Sequence, residues 1–112
     1  MNFLKNLTAK FNDLFSTVFD EVINEIQEAK IWYKEKREGL EIEFSWAIED
    51  TIVQIIKMPA SYSIRYKSIR IAHPKVFPYN IHFYIDESNY VIVITAIVHN
   101  KRNQDIVEDR VF

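Results

Sequence analysis

Histidine, tyrosine and basic side chains in the C-terminal half of the chain include the residue types that cleave a phosphodiester bond in RNA. That reaction needs a base to activate the ribose 2′-hydroxyl, an acid for the leaving oxygen, and cations that stabilise the charge developing on the phosphate. His99 is a candidate base or acid, and Tyr79 is a candidate hydroxyl donor or a ring on which a nucleobase stacks. The candidate phosphate ligands are Arg70, Lys75 and Arg102.

Each of these side chains also has a purely structural interpretation. Tyr79 is equally typical of a core aromatic, His99 of the end of a strand, and Arg102 of a solvated charge in a terminal segment. These residues alone do not decide between a catalytic site and an ordinary set of core and surface side chains.

A basic stripe runs through the second half of the chain. The first 56 residues hold six Lys and Arg against eleven Asp and Glu, whereas residues 57–112 hold eight against five. Between Lys57 and Ile85 there is no acidic residue. Such a stripe favours a surface that faces phosphate or an acidic partner, but an edge strand protected against aggregation has a similar composition. The basic residues of the stripe are Lys57, Arg65, Lys67, Arg70 and Lys75.

Other kinds of site are not indicated. His73, His82 and His99 are too scattered for a zinc pattern, and neither a metal nor another cofactor is expected. With one glycine and no cysteine, the sequence has no glycine-rich phosphate loop, disulfide framework or thiolate nucleophile. A Ser-His-Asp triad has no nucleophile-elbow context to support it.

No segment has the length and composition of a membrane span. The longest apolar run, Tyr90 to Val98, is nine residues, whereas a spanning helix needs about 20. Charges at Lys5, Lys10 and Asp13 interrupt any signal-peptide core. A cytoplasmic location is therefore expected, and the absence of cysteine fits a reducing compartment.

The N-terminal half predicts two helices after a short strand. Residues 1–14 form a lead-in whose apolar spacing is typical of a short amphipathic helix, and residues 15–19 have the composition of a strand. One helix follows an N-cap at Asp20 and stops at Gly39, and a second extends from Leu40 to Met58. The apolar stripe of the first helix is Val22, Ile26, Ala29 and Tyr33. The acids assigned to the solvated outer face of this hairpin are Glu21, Glu25, Glu28, Glu35, Glu43, Glu49 and Asp50.

The C-terminal half predicts strands. Tyr66–Ile71 has the pattern of a basic strand, and in the next strand Phe83 is expected on the core face and His82 among polar tips on the other face. Asp86–Asn89 has the composition of a hairpin turn. Tyr90–Val98 is apolar on both parities, which is typical of a central strand covered on both faces.

These elements predict an α+β fold with the order β-α-α-β-β-β. A helical hairpin is expected to pack on one face of a small antiparallel-rich sheet. A chain of 112 residues suits a single core, so residues 15–112 are expected to form one domain after the lead-in.

Four short motifs, taken in order, carry a family resemblance. Glu28-Ala29-x-x-Trp32-Tyr33 ends the first helix, and Gly39-Leu40-x-x-x-Phe44 enters the second. A block from Arg70 through Lys75 to Phe77-Pro78-Tyr79 precedes the apolar strand, which closes on His99-x-x-Arg102-Asn103. Together, over roughly residues 15–103, the chain resembles the RelE/ParE family of bacterial type II toxin–antitoxin toxins, which are also called plasmid stabilization proteins.

The resemblance implies a growth-inhibiting toxin of RelE/ParE-like fold that a cognate antitoxin neutralises. The antitoxin is expected to be small, with an acidic C-terminal segment that becomes ordered on the toxin, so a hetero-oligomer is implied. Arg70 and Arg102 match basic positions of the family and are expected to be exposed. The implied surface for the target or the antitoxin is Arg65, Lys67, Arg70, Lys75, Lys101 and Arg102.

The family divides by target. One branch resembles ribosome-dependent mRNA endonucleases, which usually carry an arginine after the tyrosine that matches Tyr79; this chain has Asn80. That branch also tends to have a catalytic tyrosine or a His-Tyr end near the C-terminus, and residues 103–112 contain neither residue type. The ending at His99 looks more like the other branch, the ParE-type poisons of DNA gyrase, which have no known hydrolytic site.

The interpretation favoured by the sequence is therefore a ParE-like gyrase poison without enzymatic activity. The alternative is a RelE-like mRNA endonuclease that uses His99, Arg70, Arg102 and Tyr79. A degenerate, inactive toxin and a non-toxic nucleic-acid-binding module are further alternatives.

Overall fold

The computed structural model describes residues 15–18, 20–89 and 91–101. The predicted lead-in helix over residues 1–14 lies outside these ranges. Two helices precede four antiparallel strands, and a short strand comes before both helices, so the α+β class is confirmed. The elements are β1 (Phe15–Val18), α1 (Asp20–Lys36), α2 (Leu40–Lys57), a 3-10 turn (Pro59–Ser61), β2 (Ile64–Tyr66), β3 (Ile69–Ala72), β4 (Tyr79–Asp86) and β5 (Val91–His99).

The helical hairpin forms where its apolar spacing and its turn residue predict it. Gly39 has φ +96, a left-handed conformation that glycine adopts without the steric cost of a Cβ atom. This residue lets the chain reverse between α1 and α2. The α2 helix ends at Lys57, one residue before the predicted end, because Pro59 begins the 3-10 turn. The apolar stripe of α1 is buried as predicted: Val22, Ile26, Ala29 and Tyr33.

The sheet has five strands in the order β1-β5-β4-β3-β2. The strands from β2 to β5 pair antiparallel with their neighbours, and β1 adds to the outer side of β5 in parallel, opposite Ile92 to Ile94. The prediction of one continuous strand over Tyr66–Ile71 is wrong, because this segment contains the turn of the β2–β3 hairpin. The chain reverses at Lys67 and Ser68, and Lys67 takes a positive φ of 49 that a tight two-residue turn requires.

The main core lies between the helical hairpin and the sheet. Ile48, Ile52 and Ile55 of α2 join the α1 stripe against side chains of β4 and β5, among them Phe83 and Ile94. Every residue of β5 from Ile92 to Val98 is buried, as predicted for a central strand. Burial of these aliphatic side chains supplies the main driving force for packing the hairpin onto the sheet.

His82 keeps the predicted alternation of β4, since it pairs with Ala96 whereas Ile81 and Phe83 belong to the main core, but its burial was not predicted. The sequence placed it among polar tips, but the residue is fully buried, and its Nδ1 lies 2.7 Å from the Tyr66 hydroxyl of β2. The carbonyl of His82 also accepts a hydrogen bond from the Thr95 hydroxyl at 3.4 Å. The Nδ1 bond to Tyr66 offsets part of the cost of burying the imidazole, because a buried polar group that lacks a hydrogen bond is destabilising.

Removing the Tyr66 hydroxyl should therefore destabilise the fold. Tyr66→Phe deletes the bond to the buried His82 ring, and we expect a loss of about 1–3 kcal/mol in the free energy of unfolding, measured by urea denaturation. Tyr62→Phe is the matched control, because the Tyr62 hydroxyl makes no hydrogen bond within the described ranges, although its ring packs on Phe83. Equal stability losses in the two variants would contradict a structural role for the Tyr66–His82 bond.

Candidate functional site

Tyr79 and His99 lie together at one end of the sheet. They are directly paired residues of β4 and β5, and their rings meet edge to face with centroids 5.3 Å apart. Two backbone hydrogen bonds fix the chain at this end of the sheet. The Tyr79 amide donates to the Phe77 carbonyl at 2.8 Å, and the Asn100 amide donates to the Pro78 carbonyl at 2.9 Å. Two of the sequence-predicted site residues are thus adjacent.

A cavity of about 330 Å³ lies beside this pair, between α1 and the adjoining ends of β4 and β5. We call it the α1–β5 groove. Its volume falls in the range of small-ligand sites, and Trp32 on its wall is half exposed, at 51%. The groove is lined by Glu25, Glu28, Ala29, Trp32, Tyr79, Ile97 and His99.

Glu25 corrects the sequence interpretation, which placed it on the solvated face of the hairpin. It is 8% exposed, and its carboxylate accepts a hydrogen bond from the Ile97 amide at 3.1 Å. The parallel partner strand β1 pairs only as far as Ile94, so the α1 carboxylate takes over the backbone donor that lies farther along β5. A buried amide without such an acceptor would cost free energy.

An aromatic cluster lies next to the groove and contributes Tyr79 to its lining. Five pairs among the rings of Tyr33, Phe44, Phe77 and Tyr79 have their centroids between 5.1 and 6.2 Å apart. Burial raises the pKa of Tyr33 above its ordinary value, and its hydrogen bond to Tyr79 acts in the opposite direction. Because the net shift is upward, Tyr33 is protonated at neutral pH and cannot serve there as a base.

The hydrogen bonding of His99 restricts its chemistry. Its Nδ1 accepts the backbone amide of Lys101 at 3.1 Å. The neutral ring therefore carries its proton on Nε2, since an imidazole that accepts at one nitrogen donates at the other. In this arrangement His99 presents a hydrogen-bond donor, whereas a general base needs an available lone pair.

Arg70 lies away from the Tyr79–His99 pair. It is opposite Phe83 in the β3–β4 ladder, four residues along β4 from Tyr79, which corresponds to about 13 Å. Its guanidinium donates to the Tyr62 carbonyl, and the residue is half-buried, not exposed as predicted. Arg70 lines a second cavity of about 480 Å³, whose lining also includes Asp86 at the end of β4 and Glu87 in the turn that follows.

The other basic residues divide between two regions of the sheet. Arg65 in β2 and Lys67 in the β2–β3 turn are exposed near Arg70, which pairs with Ile64. Lys75, in the β3–β4 connection, and Lys101, after β5, are exposed at the end that holds Tyr79 and His99. The basic stripe, continuous in sequence, is thus divided in space, and Arg102 lies outside the described residues.

Two residues of the groove were missed as site residues by sequence reasoning. Glu25 lies three residues after Val22 and four before Ala29, so helical spacing places it beside the buried stripe. That signal was available but was outweighed by the acidic composition of α1. Trp32 was assigned only to a motif, and its exposure depends on packing that no local pattern encodes.

Comparison with known proteins does not assign the chain: no family model, curated protein or solved structure matches it. Within the described ranges, no helix is long and apolar enough to cross a membrane. No three His, Cys, Asp or Glu side chains of that part of the chain are grouped as metal ligands.

Proposed function

We propose that the chain is the toxin of a type II toxin–antitoxin pair with a RelE/ParE-like arrangement, and that it inhibits growth by binding DNA gyrase. The order of the four motifs along the chain supports the family. The position of the helical hairpin against an antiparallel sheet is in keeping with it. The hairpin turn at Gly39 and the start of β4 at Tyr79 both fall inside motifs that carry the resemblance.

The separation of Arg70 from the Tyr79–His99 pair is the observation that favours binding over RNA cleavage. A cleavage site needs its cations within reach of the same phosphate as its acid and base. Here Arg70 is about 13 Å along the sheet from that pair. Among the candidate phosphate ligands that the structure describes, only Lys75 lies at the same end of the sheet as the pair. Asn80, at the position where the nuclease branch has an arginine, supplies no charge.

His99 adds a second argument against the nuclease alternative. Its Nδ1 is engaged by the Lys101 amide, so the neutral ring has no free lone pair with which to activate a 2′-hydroxyl. An exposed basic surface around Arg65 and Lys67 suits the acidic segment of an antitoxin. Arg70 is half-buried and its guanidinium already donates to the Tyr62 carbonyl, so it is expected to contribute less to that contact than these two residues.

Expression in a bacterial host without the antitoxin separates the two targets. We expect growth arrest with filamentation and induction of an SOS reporter, while methionine incorporation continues through the first minutes. His99→Ala should change toxicity by less than about twofold, whereas loss of a catalytic group typically costs 10²–10³ in rate. Early translational arrest with codon-phased mRNA cleavage that His99→Ala abolishes would make the protein a nuclease. Unimpaired growth at a verified level of folded protein would exclude a toxin.

A further inference from the structure

We propose that the α1–β5 groove binds an arginine side chain of a protein partner. The groove combines a concave surface with the two features that recognise a guanidinium, namely carboxylates and aromatic faces. Glu25 and Glu28 supply the negative charge, and Trp32 and Tyr79 supply the rings. This proposal does not depend on the target of the toxin and concerns a different surface from Arg65 and Lys67.

The charge of the groove selects a cation. Its lining contains two carboxylates and no lysine or arginine, so the groove wall attracts a cation. Lys75 and Lys101 are exposed at the same end of the sheet but do not line the groove. The Glu25 carboxylate is held in place by the Ile97 amide, which keeps it at the groove wall without an ordering cost on binding. His99 Nε2–H is the one lining imidazole donor, and it can bond a partner carbonyl beside the cation.

The aromatic walls favour guanidinium over ammonium. A planar guanidinium stacks on an aromatic face while its edge donates to a carboxylate, whereas an ammonium is a more strongly hydrated point charge. The Lys36 ammonium lies 4.8 Å from the Trp32 centroid, so a partner guanidinium would stack on the other face of the ring or displace Lys36. Trp32 is also half exposed, and tryptophan, tyrosine and arginine are the residues that most often dominate protein interfaces.

The test uses a single arginine side chain as the probe. The chain has two tryptophans, so Trp46→Phe leaves Trp32 as the only one; Trp46 is an exposed residue of α2, outside the groove. N-acetyl-arginine methylamide should shift the Trp32 fluorescence and its indole N–H resonance, with half-saturation on the order of 1 mM for a ligand of this size. The citrulline analogue, which has a similar shape but no charge, should cause less than about a tenth of that shift at equal concentration.

Charge-neutral variants locate the binding site. Glu28→Gln, at an exposed position, should weaken probe binding about five- to tenfold, and Glu25→Gln should do the same while retaining an oxygen that accepts from Ile97. Glu35→Gln is the matched control, because it removes the same charge from the exposed part of α1 outside the groove. Thermal melts check that each variant is folded.

Each outcome decides the proposal. A Trp32 response to arginine that is absent with citrulline and reduced only by the groove variants supports it. No response, an equal response to citrulline, or equal weakening by Glu35→Gln would overturn it. An N-acetyl-lysine methylamide response as strong as that to arginine would also overturn the assignment of a guanidinium.

Discussion

Phe44→Ala is expected to remove about 3–5 kcal/mol from the free energy of unfolding. Phe44 is fully buried in α2, and its ring contacts those of Tyr33, Phe77 and Tyr79 at centroid distances of 5.2, 5.4 and 5.1 Å. Truncation would leave a cavity at the point where both helices meet the start of β4. Since domains of this size are stable by only about 5–15 kcal/mol, the variant should lose a large part of its stability.

The measurement is equilibrium urea denaturation with two comparison variants. Phe44→Leu keeps most of the buried volume and should lose clearly less stability than Phe44→Ala. Ile42→Ala, two residues earlier on the half-exposed side of α2, should change stability by less than about 0.5 kcal/mol. A Phe44→Ala loss as small as that of Ile42→Ala would mean that the aromatic cluster is not the core of the hairpin–sheet contact.

The double charge reversal Arg65→Glu/Lys67→Glu is expected to weaken binding of the proposed antitoxin by on the order of 10²-fold at low salt. Both residues are exposed on the β2–β3 hairpin, where an acidic segment could approach them together. Reversal replaces attraction with repulsion at two neighbouring positions. Because the contacts are exposed, the difference from the unmodified chain should shrink as salt rises and the Debye length falls.

Calorimetric titration with the product of the adjacent reading frame measures this effect. Lys34→Glu/Lys36→Glu is the matched control, because it makes the same change of charge at two exposed residues in the last turn of α1, outside the basic stripe. The control should weaken binding by less than about threefold. If both double variants bind equally well, the antitoxin contacts another surface. If the unmodified folded protein does not bind the product of the adjacent reading frame at all, that product is not its antitoxin, and the toxin–antitoxin proposal is contradicted.

The α1–β5 groove and the β2–β3 hairpin are expected to bind partner groups of opposite charge. The groove, with Glu25 and Glu28, accepts a cation, whereas Arg65 and Lys67 accept anions. A single extended segment that contacts both must carry an arginine and acidic residues at separate positions. Such a pattern would fix the position of the segment along the surface as well as its affinity, since a shifted segment would place like charges together.

The sequence by itself determined the elements whose signals are local. The 3.6-residue spacing of Val22, Ile26, Ala29 and Tyr33 predicted the buried face of α1. Gly39 predicted the left-handed turn, because few other residues adopt that conformation without strain. The apolar run of β5 predicted a strand covered on both faces, and β5 is buried from Ile92 to Val98. Each signal arises from contacts or backbone angles within a few residues, so the chain carries it without reference to the fold.

Only the tertiary structure decided which side chains meet. Glu25 is buried against β5, where it accepts from the Ile97 amide beyond the part of β5 that pairs with β1, and His82 is buried where the Tyr66 hydroxyl reaches it from another strand. The basic stripe looked continuous, but strand pairing placed Arg70 four residues along the sheet from Tyr79. These outcomes depend on strand order and register, which join residues far apart in the chain. Residue type and local spacing therefore could not predict them.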